Sequence, residues 1–304
     1  MNPSPGPMAV GTWSWGDRTG WGAQPEEQEL EKAFSASVRA GINLFDTAER
    51  YGAGESEMIL GRCIAHSRDP VRIATKFSPL RSQWRPKHLR SALEGSLKRL
   101  GIGKIDLYQI HWPTRFSSIG IWMDALADAA SDGLIDGTGV ANYSPDQVRT
   151  AFDLLARRRL RLASVQVQFS LIHRVPERNG MLALCRELGL TLLAYSPLAM
   201  GVLSGKYDSG ALPAGENRRS FTREKLASLR PLTALLRDIG RGHGKTPSQV
   251  ALNWVIAKGA VPIAGARSGA QAAENAGALG WKLAEGEIRA LEEQGERTEG
   301  GNTR

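Results

Sequence analysis

Short apolar runs rich in β-branched residues alternate along the chain with longer amphipathic stretches. The runs are Ala9–Trp13, Ile42–Phe45, Val71–Thr75, Ile105–Ile110, Gly137–Ala141, Ser164–Gln168, Leu190–Tyr195 and Val261–Ala264. Runs of that length bounded by turn residues predict strands, and spacing near 3.6 between them predicts helices. Helical patterns include Glu26–Ala40, Glu55–His66, Pro86–Leu100, Ile121–Asp132, Pro145–Arg159, Gly180–Leu188, Ser248–Lys258 and Glu285–Glu296. Ser144-Pro145 and Thr246-Pro247 supply a capping hydroxyl followed by proline at the first helical position. Gly41, Gly101 and Gly189 stand where helices end in a left-handed residue.

Strands that alternate with helices pair in parallel through right-handed crossovers. A doubly wound sheet and an eight-fold barrel both meet that rule. Eight units in 304 residues match the usual size of the barrel. The expectation is therefore an α/β chain forming one (β/α)8 TIM barrel over residues 1–304, since no Pro/Gly/Ser linker divides it. The longest irregular stretch, 198–223, carries Gly201, Gly205, Gly210, Pro213 and Gly215 and reads as a loop over one face.

Composition narrows the class. Hydrophobic residues make up 41% and charged residues 23%, as in ordinary globular proteins. No apolar run reaches the roughly 18 residues of a membrane span, and the N-terminus has no signal-like apolar stretch. Two cysteines in helix-like segments, Cys63 and Cys185, speak against a disulfide framework or a metal site, so a cytoplasmic, metal-free protein is expected. The net charge of +8 raises the question of nucleic acid. Yet the densest basic run, Arg157-Arg158-Arg159 with Arg161, lies near a helix end, where the dipole favours cations. It reads as a solvated face, and an anionic small molecule accounts better for the charge.

Barrels of this kind do their chemistry at the C-terminal ends of the strands. Asp46, Lys76, His111, Asn142 and Tyr195-Ser196 follow or end successive apolar runs, and Gln166 and Gln168 lie in another. Any one of these can simply stop a strand; their recurrence on one rim is harder to dismiss. Tyr51 follows Asp46 by five residues, in a turn with Gly52 and Gly54. A phenol has a pKa near 10, and a lysine cation beside it lowers that value. An aspartate keeps the lysine charged, and a neutral histidine can donate to a carbonyl oxygen. Asp, Tyr, Lys and His thus suit protonation of an oxygen while a hydride reaches the carbon. The competing account is a buried Asp46–Lys76 salt bridge with an unrelated tyrosine.

The segment Gly41-Ile42-Asn43-Leu44-Phe45-Asp46-Thr47-Ala48-Glu49-Arg50-Tyr51-Gly52 resembles the aldo-keto reductase signature. Ala74-Thr75-Lys76, Leu107-Tyr108-Gln109-Ile110-His111-Trp112-Pro113 and Ala194-Tyr195-Ser196-Pro197-Leu198 resemble further motifs of that family, in its order and spacing. The resemblance runs from Gly11-Thr12-Trp13 to Trp281. It implies reduction of a small-molecule aldehyde or ketone, with Tyr51 as general acid, Lys76 and Asp46 tuning it, and His111 positioning the carbonyl.

Hydride chemistry requires a carrier. No G-x-G-x-x-G opens a helix after a strand, and Gly244-Lys245-Thr246 lacks the upstream glycine of a phosphate loop and reads as a helix-to-helix turn. The better phosphate candidate is Gly265-Ala266-Arg267-Ser268 after the last strand, followed by Gln271, Glu274 and Asn275. Arg267 brings a fork-shaped cation. By resemblance this region grips the adenosine 2′-phosphate, implying NADPH/NADP. The resemblance also places Gly11, Thr12 and Trp13 on the cofactor side, Asn142 and Gln166 on the carboxamide, Tyr195 against the nicotinamide ring, and Ser196, Leu198, Ser204 and Lys206 near the pyrophosphate.

Gln271 stands where many relatives carry arginine, which leaves the 2′-phosphate to Arg267, and Ala141 replaces a serine. About eight residues precede the first strand, so the N-terminal hairpin that plugs many such barrels is expected to be missing or reduced. The chain also ends soon after its last helical pattern, so a long C-terminal substrate loop is not expected. Trp13, Trp15, Trp21, Trp112 and Phe116 are then the candidates for substrate walls, with core packing as the alternative. A monomer or weak homo-oligomer is expected. Competing functions are a nucleotide-binding regulatory subunit of the same fold and a phosphosugar or lyase barrel, the latter having no need of the Tyr–Lys–Asp–His set.

Overall fold

The computed structural model describes residues 6–16, 24–80, 82, 85–114, 116–207, 212–213 and 221–300. Within them the strands are β1 (Ala9–Gly11), β2 (Leu44–Asp46), β3 (Arg72–Phe77), β4 (Ile105–Ile110), β5 (Ile135–Ala141), β6 (Leu162–Gln168), β7 (Thr191–Tyr195) and β8 (Val261–Gly265). They pair in parallel, each with its sequence neighbours, and β8 closes on β1. The expected barrel is what forms. The helices are α1 (Trp13–Gly16), α2 (Glu27–Arg39), α3 (Glu55–Ala65), α4 (Pro86–Leu100), α5 (Ile119–Ser131), α6 (Pro145–Arg157), α7 (Val175–Arg178), α8 (Met181–Leu188), α9 (Arg223–His243), α10 (Pro247–Ala257), α11 (Gly269–Ala276) and α12 (Glu285–Gly300).

Alternation along each strand builds two apolar layers. Val10, Phe45, Ile73, Tyr108, Val140, Val165, Leu192 and Ala264, one from each strand, join the core between barrel and helices. Ala9, Leu44, Ala74, Leu193 and Ile263 form a separate cluster inside the barrel. Two residues further along β2 and β3 the inward positions become Asp46 and Lys76, so the interior turns from apolar to charged toward the rim.

Several sequence expectations change. The first strand stops at Gly11, and Trp13 opens the short helix α1. The expected loop 198–223 holds a 3-10 turn at Ala199–Ser204, and Arg223 already begins α9, capped by the Thr222 hydroxyl. Residues 208–211 and 214–220 of that stretch lie outside the described residues, as do 1–5 and Trp21. Trp15 is fully buried, with its indole N–H donating to Ala266 O at 2.8 Å, so it is a core residue and not a pocket wall. Trp122 is likewise buried, 5.1 Å from the Phe77 ring. Gly244-Lys245-Thr246 joins α9 to α10 as a left-handed cap followed by a capping box.

The loop that follows β2 is anchored from behind by buried polar groups. Thr12 and Ser56 hydroxyls lie 2.8 Å apart, Thr47 and Ser56 hydroxyls 3.0 Å apart, and Ser56 Oγ also donates to Thr12 O. Glu57, without exposed surface, accepts from Thr75 Oγ1 at 2.6 Å and Arg99 Nε at 2.7 Å. This carboxylate ties α3 to β3 and α4. Removing one partner of a buried pair strands the other. Glu57→Gln is therefore expected to lose about 2–3 kcal/mol in urea unfolding, reduced from the fully buried case because Arg99 is partly exposed. An unchanged midpoint would mean that Arg99 is satisfied by solvent.

Candidate active site

Asp46 is the last residue of β2 and Lys76 the fifth of β3, so both point into the barrel at its C-terminal end. Lys76 Nζ donates to Asp46 Oδ2 at 2.6 Å, to Thr47 O at 2.8 Å and to Tyr51 Oη at 3.4 Å. An ammonium has three donors, and all three are used. Asp46 Oδ1 takes a further bond from Gln166 Nε2 at 2.8 Å. The pair is buried on both sides. Burial alone lowers a lysine pKa; the Asp46 carboxylate and the Tyr51 oxygen outweigh it, and the Lys76 pKa is raised. Lys76 stays a cation.

Tyr51 reaches this cation because the backbone turns sharply. Gly52 has φ +59°, and a Cβ there would run into the backbone of Gly16, so no larger residue fits. The phenol direction differs from the sequence expectation. Burial pushes the Tyr51 pKa above 10, Lys76 pulls it down and Asp46 adds to the rise, for a net increase. Desolvation of a phenolate outweighs the nearby cation. Tyr51 is a protonated donor.

His111 follows β4 and stands edge-on to Tyr51, ring centroids 5.9 Å apart. Burial, with the Lys76 and Arg50 cations, lowers its pKa from 6.5 to about 3. The ring is neutral, as expected. Its Nδ1 lies 2.9 Å from the buried Ser78 hydroxyl. Ser78 N in turn donates to Glu49 Oε1 at 2.7 Å. Sequence reading passed over Ser78 and Glu49. The signal was period-two alternation, which carries Ala74 and Lys76 inward and Ser78 to the same side.

The remaining candidates form an arc around this centre. Asn142, at φ +62°, donates from Nδ2 to His111 O at 3.0 Å and accepts at Oδ1 from Tyr195 Oη at 2.9 Å. Past β7, Ser196 turns through φ +51°, Gly201 N bonds Leu198 O, and Ser204 Oγ donates to Gly201 O at 2.7 Å. The Lys206 ammonium lies over Gly201 and 4.8 Å from the Tyr207 ring centroid. Past β8, Ser268 caps α11, Gln271 Oε1 accepts from Arg267 N at 2.8 Å, and Asn275 Nδ2 donates to Gly265 O at 3.1 Å. Glu274 accepts from Thr246 Oγ1 at 3.1 Å, a tie to α10. Thr12 is set back from the rim, fully buried, its hydroxyl bonded to Asp46 O. Gly11 and Gly265 pair side by side at the ends of β1 and β8. A Cβ on Gly265 would meet only Gly11 O, at 3.9 Å, so the β1/β8 rim offers a side-chain-free approach to backbone.

Among the described residues, Trp13 at 38%, Trp112 at 50% and Phe116 at 57% stay exposed at the rim. The Trp13 ring is 6.3 Å from Tyr51, and Trp112 stacks on His111 at 5.8 Å. Among the described residues no group of three or more His, Cys, Asp or Glu is arranged to hold a metal ion. The centre thus combines a protonated phenol, a permanent cation and a neutral imidazole, with exposed aromatic rings beside them. That set can bind an electron-rich oxygen and give it a proton.

A model of the Aldo/keto reductase family matches residues 7–296. The chloroplastic pyridoxal reductase of Arabidopsis thaliana is 40% identical, covering 96% of this chain and 84% of that protein. The NADH-specific methylglyoxal reductase of Escherichia coli (strain K12) is 29% identical, with 96% and 95% covered. Among solved structures, a glycerol dehydrogenase from Gluconobacter oxydans superposes with a TM-score of 0.85 at 28% identity, covering 98% of this chain and 94% of that one.

The depressed His111 pKa has a sign that can be measured. The unfolded chain takes up this proton near pH 6.5 and the folded chain only near pH 3. His111 therefore costs stability as pH falls below about 6.5 and contributes no such cost above it. Its ring resonances are expected to hold their neutral positions until pH approaches 3. A midpoint between 6 and 7 in the folded protein would show that the ring is solvated.

Proposed function

The chain belongs to the aldo-keto reductase family, and we propose that it reduces an aldehyde or ketone with NADPH, Tyr51 delivering the proton. The observation that carries this reading is the Tyr51–Lys76–Asp46 arrangement, with the Lys76 ammonium fully bonded at the end of the barrel. The carbonyl oxygen sits between Tyr51 Oη and the His111 ring. As hydride reaches the carbon, the Tyr51 O–H bond breaks and its proton passes to the oxygen. The phenolate left behind lies beside a cation that needs no rearrangement to stabilise it. Neutral His111 donates to the same oxygen and fixes the face presented. Asp46 holds Lys76 charged and in place.

A nicotinamide dinucleotide supplies the hydride when bound, because no side chain can. The residues present fit it. Tyr195 offers a half-buried ring at the rim, and Asn142 Oδ1 and Gln166 Oε1 are acceptors for a carboxamide. Leu198, Ser196, Ser204 and Lys206 lie along the segment that would cover the pyrophosphate. The Gly11–Gly265 rim lets a dinucleotide pass close to backbone. Arg267 stands beside the N-terminus of α11, where the helix dipole and a guanidinium together favour a phosphate. Gln271 is committed to the Arg267 backbone, so Arg267 carries the discrimination between NADPH and NADH.

Trp13, Trp112 and Phe116 favour a ring-bearing or otherwise apolar carbonyl compound, and the pyridoxal reductase relative acts on a substrate of that kind. Trp21 lies outside the described residues. Both cysteines are buried free thiols, which suits a reducing, cytoplasm-like compartment. Among the described residues no helix is long and apolar enough to cross a membrane. Nothing in this mechanism calls for a second subunit, consistent with a monomer or weak homo-oligomer.

Tyr51→Phe is expected to lower kcat by about 10³-fold or more while NADPH affinity, read by fluorescence titration, changes less than about twofold. An unchanged kcat would remove Tyr51 as the acid. Tight NADPH binding without turnover of any aldehyde or ketone would favour a nucleotide-binding subunit. Arg267→Ala is expected to weaken NADPH by about 10- to 100-fold and NADH far less. Equal losses would take Arg267 away from the 2′-phosphate.

A further inference from the structure

Ser78 stands at the one point where the chemistry of His111 is still undecided. A neutral imidazole carries one proton, and its two nitrogens do different work. With the proton on Nε2, His111 can donate to a carbonyl oxygen. With the proton on Nδ1, Nε2 becomes a bare lone pair that repels the same oxygen. The low pKa makes the ring neutral but does not select between these forms. His111 Nδ1 faces the Ser78 hydroxyl at 2.9 Å, and Ser78 is buried.

We infer that Ser78 is a positioning residue: its hydroxyl donates to His111 Nδ1 and thereby holds the ring as the Nε2–H form. This rests on the carbonyl-reduction reading of the site. The placement of Ser78 is built from three sides. Its main-chain N–H donates to Glu49 Oε1 at 2.7 Å, so a half-buried carboxylate from the Tyr51 loop fixes the backbone. Phe77 O, one residue before, accepts from His111 N at 2.8 Å, which locks the end of β3 to the end of β4. The Trp112 ring stacks on the imidazole with 18° between planes and restrains its rotation. With the ring and the serine backbone both held, the hydroxyl rotor is the free variable, and its proton has Nδ1 as the acceptor in reach. Without the hydroxyl, Nδ1 is a buried acceptor that has lost its donor, and the proton gains by moving onto it or by letting the ring swing. Glu49 thus links the turn that carries Tyr51 to the residue that orients His111.

The test uses full-length protein with NADP bound and 15N-labelled histidine. Two-bond 1H–15N correlations at neutral pH report which ring nitrogen is protonated, and loss of the signal in His111→Gln assigns it. Wild type is expected to show Nε2 protonated and Nδ1 as the bare nitrogen. Ser78→Ala is expected to move the pattern toward Nδ1–H or an exchange average, with carbonyl kcat/KM down by about 10- to 100-fold and NADPH affinity unchanged. Ser78→Thr keeps a hydroxyl and is expected to restore the wild-type pattern and most of the rate. An Nδ1–H pattern in wild type, or an unshifted pattern in a folded Ser78→Ala, overturns the inference. If wild type turns over no carbonyl at all, the reduction reading falls while the tautomer remains readable, so the two failures are distinct.

Discussion

A lysine ammonium with no exposed surface lies at the mouth of the barrel and is kept charged by an aspartate 2.6 Å away. Burial of such a cation is costly, and only a close opposite charge with every N–H satisfied makes it stable. The site inherits its geometry from that demand. Asp46 must end β2, Thr47 O must face inward, and the chain after it must turn so that Tyr51 supplies the third acceptor. Burial lowers the His111 pKa, and the same cation adds to the fall, so that ring stays neutral. Asp46 keeps Lys76 charged, whereas burial keeps Tyr51 and His111 in their neutral forms.

The scaffold behind the rim serves this constraint. Thr12, Thr47 and Ser56 exchange hydrogen bonds beneath the Tyr51 loop, and Glu57 ties α3 to β3 and α4 through Thr75 and Arg99. These groups are polar and buried, so each is bonded, and together they resist displacement of the loop. Glu49 extends the same loop toward Ser78 and His111. Elsewhere around the mouth, the Asn142–Tyr195 bond and the Gln271–Arg267 bond fix the segments that follow β5, β7 and β8. The two sides of the mouth meet at Asp46, which bonds Lys76 through one carboxylate oxygen and Gln166 through the other.

Strand–helix alternation was legible because period-two and period-3.6 patterns are local, and β4 and α4 keep their expected limits. The polar residues at the strand ends were legible for the same reason. Tryptophan placement was not. Trp15 and Trp13 are two residues apart, yet α1 turns one into the core beside Ala266 and leaves the other at the rim beside Tyr51. A count of aromatics near a loop contains no information on that choice.

By itself the sequence determined the fold class, the rim on which chemistry is placed and the residue types that populate it, since these follow from hydrophobic periodicity and from family motifs along the chain. Tertiary structure decided how the groups act on one another. Desolvation reversed the expected direction of the Tyr51 pKa, Thr12 turned inward as a fastener, and Ser78 came to face His111 from a strand 33 residues away. Those outcomes depend on burial and distance between separate strands, quantities that exist only once the barrel has closed.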